Sequence, residues 1–192
     1  ELTAEGIFSP LLLAENDEVR VCPVTVTARL DGKPVASAAA EITALPFDWW
    51  EGLDGNAERL AAFVRPRLAD CAAVLSDAGK RLKKWNKSAE FYGYTGADKN
   101  DVRQIAAAIY AAIKALAIDK AGESDFTAPL CVARQGSLVK DRSATAAELA
   151  VFTAACFEAA HLNPVLAVGK TGIAVGLWLY ESCFLDTVTD DA

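Results

Sequence analysis

Residues 144–179 read ATAAELAVFTAACFEAAHLNPVLAVGKTGIAVGLWL and carry the clearest secondary-structure signals in this chain of 192 residues. Thr145 and Glu148, three residues apart, form a capping box, in which each side chain bonds a backbone N–H at the start of a helix. The helix that follows is expected to turn one apolar stripe inward, formed by Leu149, Phe152, Cys156 and Ala160.

Two buried strands are predicted directly after this helix. The helix should end at His161–Pro164, because a proline cannot continue it. Pro164 to Val168 and Ile173 to Leu179 are short apolar runs, and a tight turn at 169–172 joins them. The last third of the chain is therefore predicted to be a helix followed by a hairpin.

A second hairpin is predicted within residues 19–44. Asp31-Gly32 is a strong turn signal, and a second strand should follow from Val35 to Ala44. Pro23 and Pro34 indicate strand edges or strand starts. The first strand alternates polar residues with apolar ones, as a half-buried strand does; the apolar ones are Val24, Val26, Ala28 and Leu30.

The middle of the chain is predicted to be mainly helical. Residues 56–85 form two helical pieces, with Pro66 in a first helical turn. Asp98 should cap the next helix. Phe126 to Val132 has the pattern of a short strand. The inward stripes of the helices are Leu68, Cys71, Leu75, Ala78, Leu82 and Trp85, and then Val102, Ile105, Ile109, Ile113 and Leu116.

A loop with three aromatic residues, Leu45 to Gly52, separates the first hairpin from these helices. Its rings are expected to cover the edge of a core. A binding surface is the alternative interpretation of the same rings.

Composition excludes several classes of function. The net charge of −7 and the isoelectric point near 4.8 argue against a nucleic-acid clamp, which needs clustered positive charge. Lys80 to Lys87 form a local basic cluster around Trp85, interpreted as the solvated end of a helix, where cations favour the dipole. No apolar run approaches the roughly 20 residues that span a bilayer.

The five cysteines are widely spaced and match no zinc pattern, so neither a metal nor another cofactor is predicted. Free thiols suggest a reducing compartment, and the predicted location is cytoplasmic. The chain starts at Glu1 and contains no methionine, which suggests a piece of a longer or processed protein.

Five stretches together resemble one family. They are residues 45–49, 93–96, 144–149, 158–166 and 169–179. The family is the transglutaminase-like domain near the N-terminus of very large bacterial helicase-type proteins, within the papain-like cysteine enzyme superfamily. The resemblance runs from about residue 17 to the C-terminus, and residues 144–179 carry most of its specificity.

The resemblance implies a fold but not the family's chemistry. In that family a nucleophilic Cys lies at the helix N-terminus, where the dipole stabilises a thiolate, and a His begins the following strand. Ala146 stands at the Cys position and Gly172 at the His position. Neither residue can act as nucleophile or base, so the site is degenerate and no enzymatic activity is expected.

Several other residues of the chain carry groups that could take the place of the missing Cys and His. His161 is the only histidine, and it lies about 22 Å from Ala146 along a helix rising 1.5 Å per residue. It is interpreted as a residue that ends the helix in a left-handed conformation. Cys156 is assigned to packing and Thr145 to capping. Cys131 and Cys183 flank the strands and could approach the former cleft, and Glu181 and Asp186 are candidates for the leftover third acid.

The predicted fold class is α+β, with a β-rich segment at 1–47 and a transglutaminase-like domain at 48–192. That domain should be helical in 56–119, with its core helix and strands in 126–185. The predicted function is a catalytically inactive binding or structural module of a large helicase or nuclease protein. Its partners would be other domains or another protein, with nucleic acid bound only through the parent and no membrane. The alternatives are a cysteine-type hydrolase or transferase using unrecognised residues, and a free-standing adaptor.

Overall fold

The computed structural model describes residues 16–85, 91–95, 98–122, 125–132 and 138–183. The chain divides into two compact units, Glu1–Trp49 and Trp50–Ala192. Three residues named above lie outside the described residues: Lys87 of the basic cluster, Gly96 of the stretch 93–96 and Asp186, a candidate for the leftover acid.

Unit 1 contains one long antiparallel hairpin. Strand β1 spans Arg20–Leu30 and strand β2 spans Lys33–Ala44. The predicted turn is confirmed: Asp31 and Gly32 adopt φ of 47° and 76°, the positive values that a two-residue hairpin turn requires. At the base of the hairpin the Asn16 amide donates to the Leu45 carbonyl at 2.7 Å.

The hairpin is more exposed than its alternating pattern predicted. The register places Cys22, Val24, Val26 and Ala28 opposite Ile42, Ala40, Ala38 and Ala36, so that these eight apolar side chains share one face. Val26 is nevertheless 53% exposed and Leu30 66%. The prediction of a half-buried strand was wrong at these two residues, since the described part of unit 1 consists of two strands and has no second layer.

Unit 2 alternates short strands with helices. The strands are β3 (Trp49–Trp50), between whose two residues the unit boundary falls, β4 (Asp119–Lys120), β5 (Leu130–Cys131), β6 (Ser143–Ala144), β7 (Pro164–Gly169) and β8 (Gly172–Leu177). The helices are α1 (Leu53–Asn56), a 3-10 helix (Ala57–Phe63), α2 (Ala69–Lys84), α3 (Lys99–Ala115), α4 (Leu138–Asp141) and α5 (Ala146–Ala159). β3 pairs with β5, β4 with β6 in parallel, and β7 with β8 in an antiparallel hairpin.

Helix α5 forms the centre of unit 2. Nine of its fourteen residues are buried, and it contacts α2, α3, β7 and β8. A helix that is apolar on all sides is typical of a core position, whereas the sequence had predicted only one inward stripe. The predicted capping box is present at its N-terminus. The order of helices and strands confirms the mixed α+β class.

Three local predictions were wrong. Pro66 lies in the connection between the 3-10 helix and α2, not in a helical turn. Trp85 is 47% exposed, because α2 ends at Lys84 and Trp85 serves as its C-cap outside the buried stripe. Of the predicted strand Phe126 to Val132, only Leu130–Cys131 is extended and paired.

The hairpin of β7 and β8 is confirmed, with Lys170-Thr171 as its turn. Its strands alternate half-buried and exposed residues rather than being fully buried, since only one face packs on α5. Among the aromatic residues of the loop before α1, Trp50 is 1% exposed and belongs to the core, while Phe47 is 45% exposed. In the described part of the chain, no helix has both the length and the apolar character needed to cross a bilayer.

Candidate functional site

The resemblance places a nucleophile at the N-terminus of α5. There, two side chains of the helix start accept hydrogen bonds from backbone N–H groups. Thr145 is the N-cap, and its hydroxyl accepts from the Glu148 backbone N–H at 3.2 Å. The Glu148 carboxylate in turn accepts from the Thr145 backbone N–H at 2.8 Å. The capping box is therefore confirmed, and Thr145 acts as a cap, as the sequence predicted.

Ala146 and Gly172 stand at the starts of two elements, α5 and β8, that contact each other. Ala146 is the first residue of α5, and β8 begins at Gly172. Ala146 and Ile173, the neighbour of Gly172, pack against one hydrophobic cluster, which also contains Trp50 and Phe126. A Cβ added at Gly172 would meet no atom within 4 Å, so there is space beside this backbone. Of the two positions that the resemblance assigns to the catalytic pair, Ala146 lies in apolar packing and Gly172 has open space beside it.

Cys131 approaches this helix end. Its thiol donates to the Glu148 carboxylate, with 3.9 Å between Sγ and Oε1. A thiol near a helix N-terminus has one of the features of a reactive cysteine. A neighbouring carboxylate has the opposite effect, because negative charge disfavours the thiolate. Cys183 and Glu181 lie in the exposed helical residues 181–183, after β8.

His161 lies at the opposite end of α5, as predicted. It follows the C-cap and has a φ of 59°, the left-handed conformation expected there. Gly93 passes directly beside it, and a Cβ at Gly93 would lie only 2.4 Å from the His161 carbonyl oxygen. This close approach explains why residue 93 is glycine.

Tyr94 connects this end of α5 to the hairpin. Its hydroxyl donates to the Trp178 carbonyl at 2.6 Å and accepts from the Asn163 backbone N–H at 3.1 Å. Burial raises the pKa of the Tyr94 phenol, and the hydrogen bond from Asn163 opposes that shift. The phenol fixes the chain between α5 and β7 relative to the end of β8.

Cys156 is a packing residue, as predicted. It is fully buried on α5 and contacts Cys71 of α2, which is also fully buried. A hydrogen bond from Cys156 lowers the pKa of the Cys71 thiol, whereas that same bond and burial raise the pKa of Cys156. The Cys71 thiol itself donates to the Arg65 carbonyl at 3.8 Å.

Two adjoining cavities lie along the C-terminal half of α5, away from Ala146. The larger has a volume of about 670 Å³ and lies against the start of α2. The smaller, of about 460 Å³, lies between the 3-10 helix and β7. Glu158 and Asn163 line both cavities, and the two cavities together are termed the groove.

The groove is mostly apolar, with a few polar side chains. Small residues leave the space open, among them Ala57, Ala61, Ala72, Ala154 and Ala159. Its polar side chains are Glu58, Arg67, Glu158, His161 and Asn163. Within the described ranges, none of these five side chains makes a hydrogen bond or an ion pair. A concave apolar surface with a few unengaged polar groups is typical of a binding site.

Sequence analysis did not identify this groove. Its lining extends from residue 57 to residue 168 and comes from three helices and one strand. The alanines that open it look like ordinary helix formers in the sequence.

The basic cluster lies at the end of α2. Arg81, Lys83 and Lys84 occupy its last turn, and Arg81 forms an ion pair with Asp77 at 2.9 Å. Lys80, Lys83 and Lys84 are exposed, as expected of a solvated helix end. Across the described residues, no group of three or more His, Cys, Asp or Glu side chains could hold a metal ion.

Comparisons with known proteins give no family assignment. No protein-family model, no curated protein and no solved structure matches the chain.

Proposed function

We propose that this chain is a catalytically inactive, transglutaminase-like domain that binds a protein partner. The proposal includes the context that the resemblance implies, namely a cytoplasmic helicase or nuclease polypeptide that contacts nucleic acid through its other domains. The observation that carries it is the N-terminus of α5, where position 146 is alanine in apolar packing and the capping box already bonds the helix end.

Two further observations support a binding role. His161, the only histidine of the chain, follows the far end of α5, about 22 Å from residue 146 at 1.5 Å per residue. The unengaged polar side chains lie in the groove and not beside Ala146. The groove and residue 146 thus lie towards different ends of the same helix.

The test of inactivity combines turnover assays with thiol labelling. The full chain would be assayed for amide hydrolysis and for transfer of a glutamine acyl group to an amine. We expect neither, and slow iodoacetamide labelling of every cysteine except exposed Cys183. Turnover that disappears on stoichiometric labelling of one cysteine would refute the proposal.

One observation favours a second candidate, a cysteine hydrolase that uses Cys131. Its thiol lies near the N-terminus of α5, 3.9 Å from Glu148. The matched variants are Cys131→Ala and Cys22→Ala, since both thiols are half-buried. Activity lost only in Cys131→Ala would establish this candidate and overturn the proposal of inactivity.

The parent polypeptide distinguishes the module from a free-standing adaptor. A parent of more than roughly 1000 residues that contains a Walker A motif would support the helicase context. A parent little longer than the present chain would favour the adaptor.

A further inference from the structure

The outer edge of β7 has backbone groups that no described residue bonds. Trp178 N–H donates to the Asn163 carbonyl at 3.1 Å, which identifies residues 163 and 178 as a hydrogen-bonded pair of the antiparallel ladder. Pairs alternate in such a ladder, so residues 165, 167 and 169 bond inward to β8. The N–H and C=O groups of Leu166 and Val168 therefore point outward, where the described residues provide no partner for them.

The smaller cavity of the groove adjoins this strand. Pro164, Leu166 and Val168 line it from the strand, and the 3-10 helix lines it from the other side. Alternate residues of β7 line the same cavity because side chains on a strand alternate between faces. A free strand edge next to an apolar cavity is the arrangement that accepts an added strand.

The charged side chains of the cavity favour a ligand with positive charge. Glu58 and Glu158 are exposed and line the smaller cavity, and no cationic side chain lines it. Neither carboxylate has an ion-pair partner among the described residues. A ligand with cationic groups is thus complementary to the site, while the net charge of −7 favours its approach.

We propose that an extended, basic peptide with alternating apolar residues binds here as a third strand on β7. Its backbone bonds the outward groups of Leu166 and Val168, its apolar side chains fill the cavity over Ala154, and its Lys or Arg side chains contact Glu58 and Glu158. The six residues of β7 accommodate a segment of about 20 Å at roughly 3.4 Å per residue. This inference rests on the proposed binding function and names the chemistry of the partner.

The experiment begins with selection of random octapeptides displayed on phage against the full chain. We expect enriched sequences that alternate apolar and basic residues. The best sequence, made as a fluorescent peptide, would be titrated by anisotropy. Glu58→Lys with Glu158→Lys should weaken binding by about tenfold or more, since two attractive contacts become repulsive. Glu181→Lys, an exposed change outside the groove, should leave affinity unchanged.

Two further measurements distinguish strand addition from a merely electrostatic contact. Ala61→Trp fills the cavity and should abolish binding, whereas Ala62→Trp, an exposed neighbour that does not line it, should not. N-methylation along the peptide should abolish binding at every second residue, because alternate N–H groups of an added strand face β7.

Each result of these experiments either supports or overturns strand addition on β7. No enriched peptide, binding insensitive to Ala61→Trp, or uniform tolerance of N-methylation would each overturn the strand-addition inference. None of these results bears on whether the chain is catalytically inactive, which the turnover assays test separately. Conversely, measured turnover would refute the inactive module whether or not a peptide adds to β7.

Discussion

Replacing Tyr94 by phenylalanine removes one oxygen atom from a position where it makes two hydrogen bonds. The hydroxyl donates to the Trp178 carbonyl and accepts from the Asn163 N–H, at 2.6 and 3.1 Å. A net hydrogen bond stabilises a fold by about 0.5–1.5 kcal/mol, and an unsatisfied partly buried group costs about 1–3 kcal/mol. We expect Tyr94→Phe to lower the free energy of unfolding by about 2 kcal/mol.

The measurement is urea denaturation of the full chain. The slope of the unfolding free energy against urea concentration should be the same for both proteins. A loss of about 2 kcal/mol corresponds to about 4–8 °C in Tm for a domain of this size. Tyr110→Phe is the control, since Tyr110 is 62% exposed on α3 and makes no hydrogen bond among the described residues. A loss below about 0.5 kcal/mol in Tyr94→Phe, or an equal loss in Tyr110→Phe, would refute the reasoning.

The difference in stability between the native chain and Tyr94→Phe should depend on pH in one direction. Burial raises the pKa of Tyr94 above its ordinary value of about 10. The unfolded chain then loses its proton first, so the contribution of the phenol is complete below about pH 10 and is lost as pH rises further. The difference in stability between the native chain and Tyr94→Phe should shrink above that pH, whereas a constant difference would contradict the assigned burial.

Three further outcomes are expected. Thr145→Ala should destabilise the chain by about 1 kcal/mol in thermal or urea unfolding through loss of the N-cap, and an unchanged stability would contradict the cap. Ala146→Cys with Gly172→His should fold, because residue 172 has open space, yet show no turnover; a thiolate titrating well below about 8.5 with His-dependent turnover would contradict this. Binding to duplex or single-stranded DNA should be weak at physiological salt, and tight binding abolished by Lys83→Glu with Lys84→Glu would show that the basic cluster is functional.

Local chemistry in the sequence was sufficient to predict the helix starts and the hairpin turns. The bonds of Thr145 with Glu148, and those of Asp98 with the first turn of α3, form within a few residues and need no tertiary context. The Asp31-Gly32 turn depends on the same kind of short-range constraint. The left-handed backbone of His161 was predicted for a similar reason, since it lies just beyond a helix end.

Predictions failed where burial depends on elements distant in sequence. Trp85 continues a helical stripe in the sequence, but the helix ends one residue earlier. Val26 alternates as a half-buried residue would, but the described part of unit 1 provides no layer to cover it. The groove is lined by Glu58 of the 3-10 helix, Arg67 of the connection before α2 and Glu158 of α5, a combination that no spacing in the sequence encodes.

The burial of most of α5 constrains the order in which the chain can fold. Its partners include Cys71 of α2, 85 positions before Cys156, and the strands of β7 and β8 that follow it. Such distant contacts require closure of a long loop before any of them stabilises the structure, which slows folding. During synthesis, the core of unit 2 cannot assemble until about residue 177 has left the ribosome. The hairpin of β1 and β2, whose contacts are local, can form well before that.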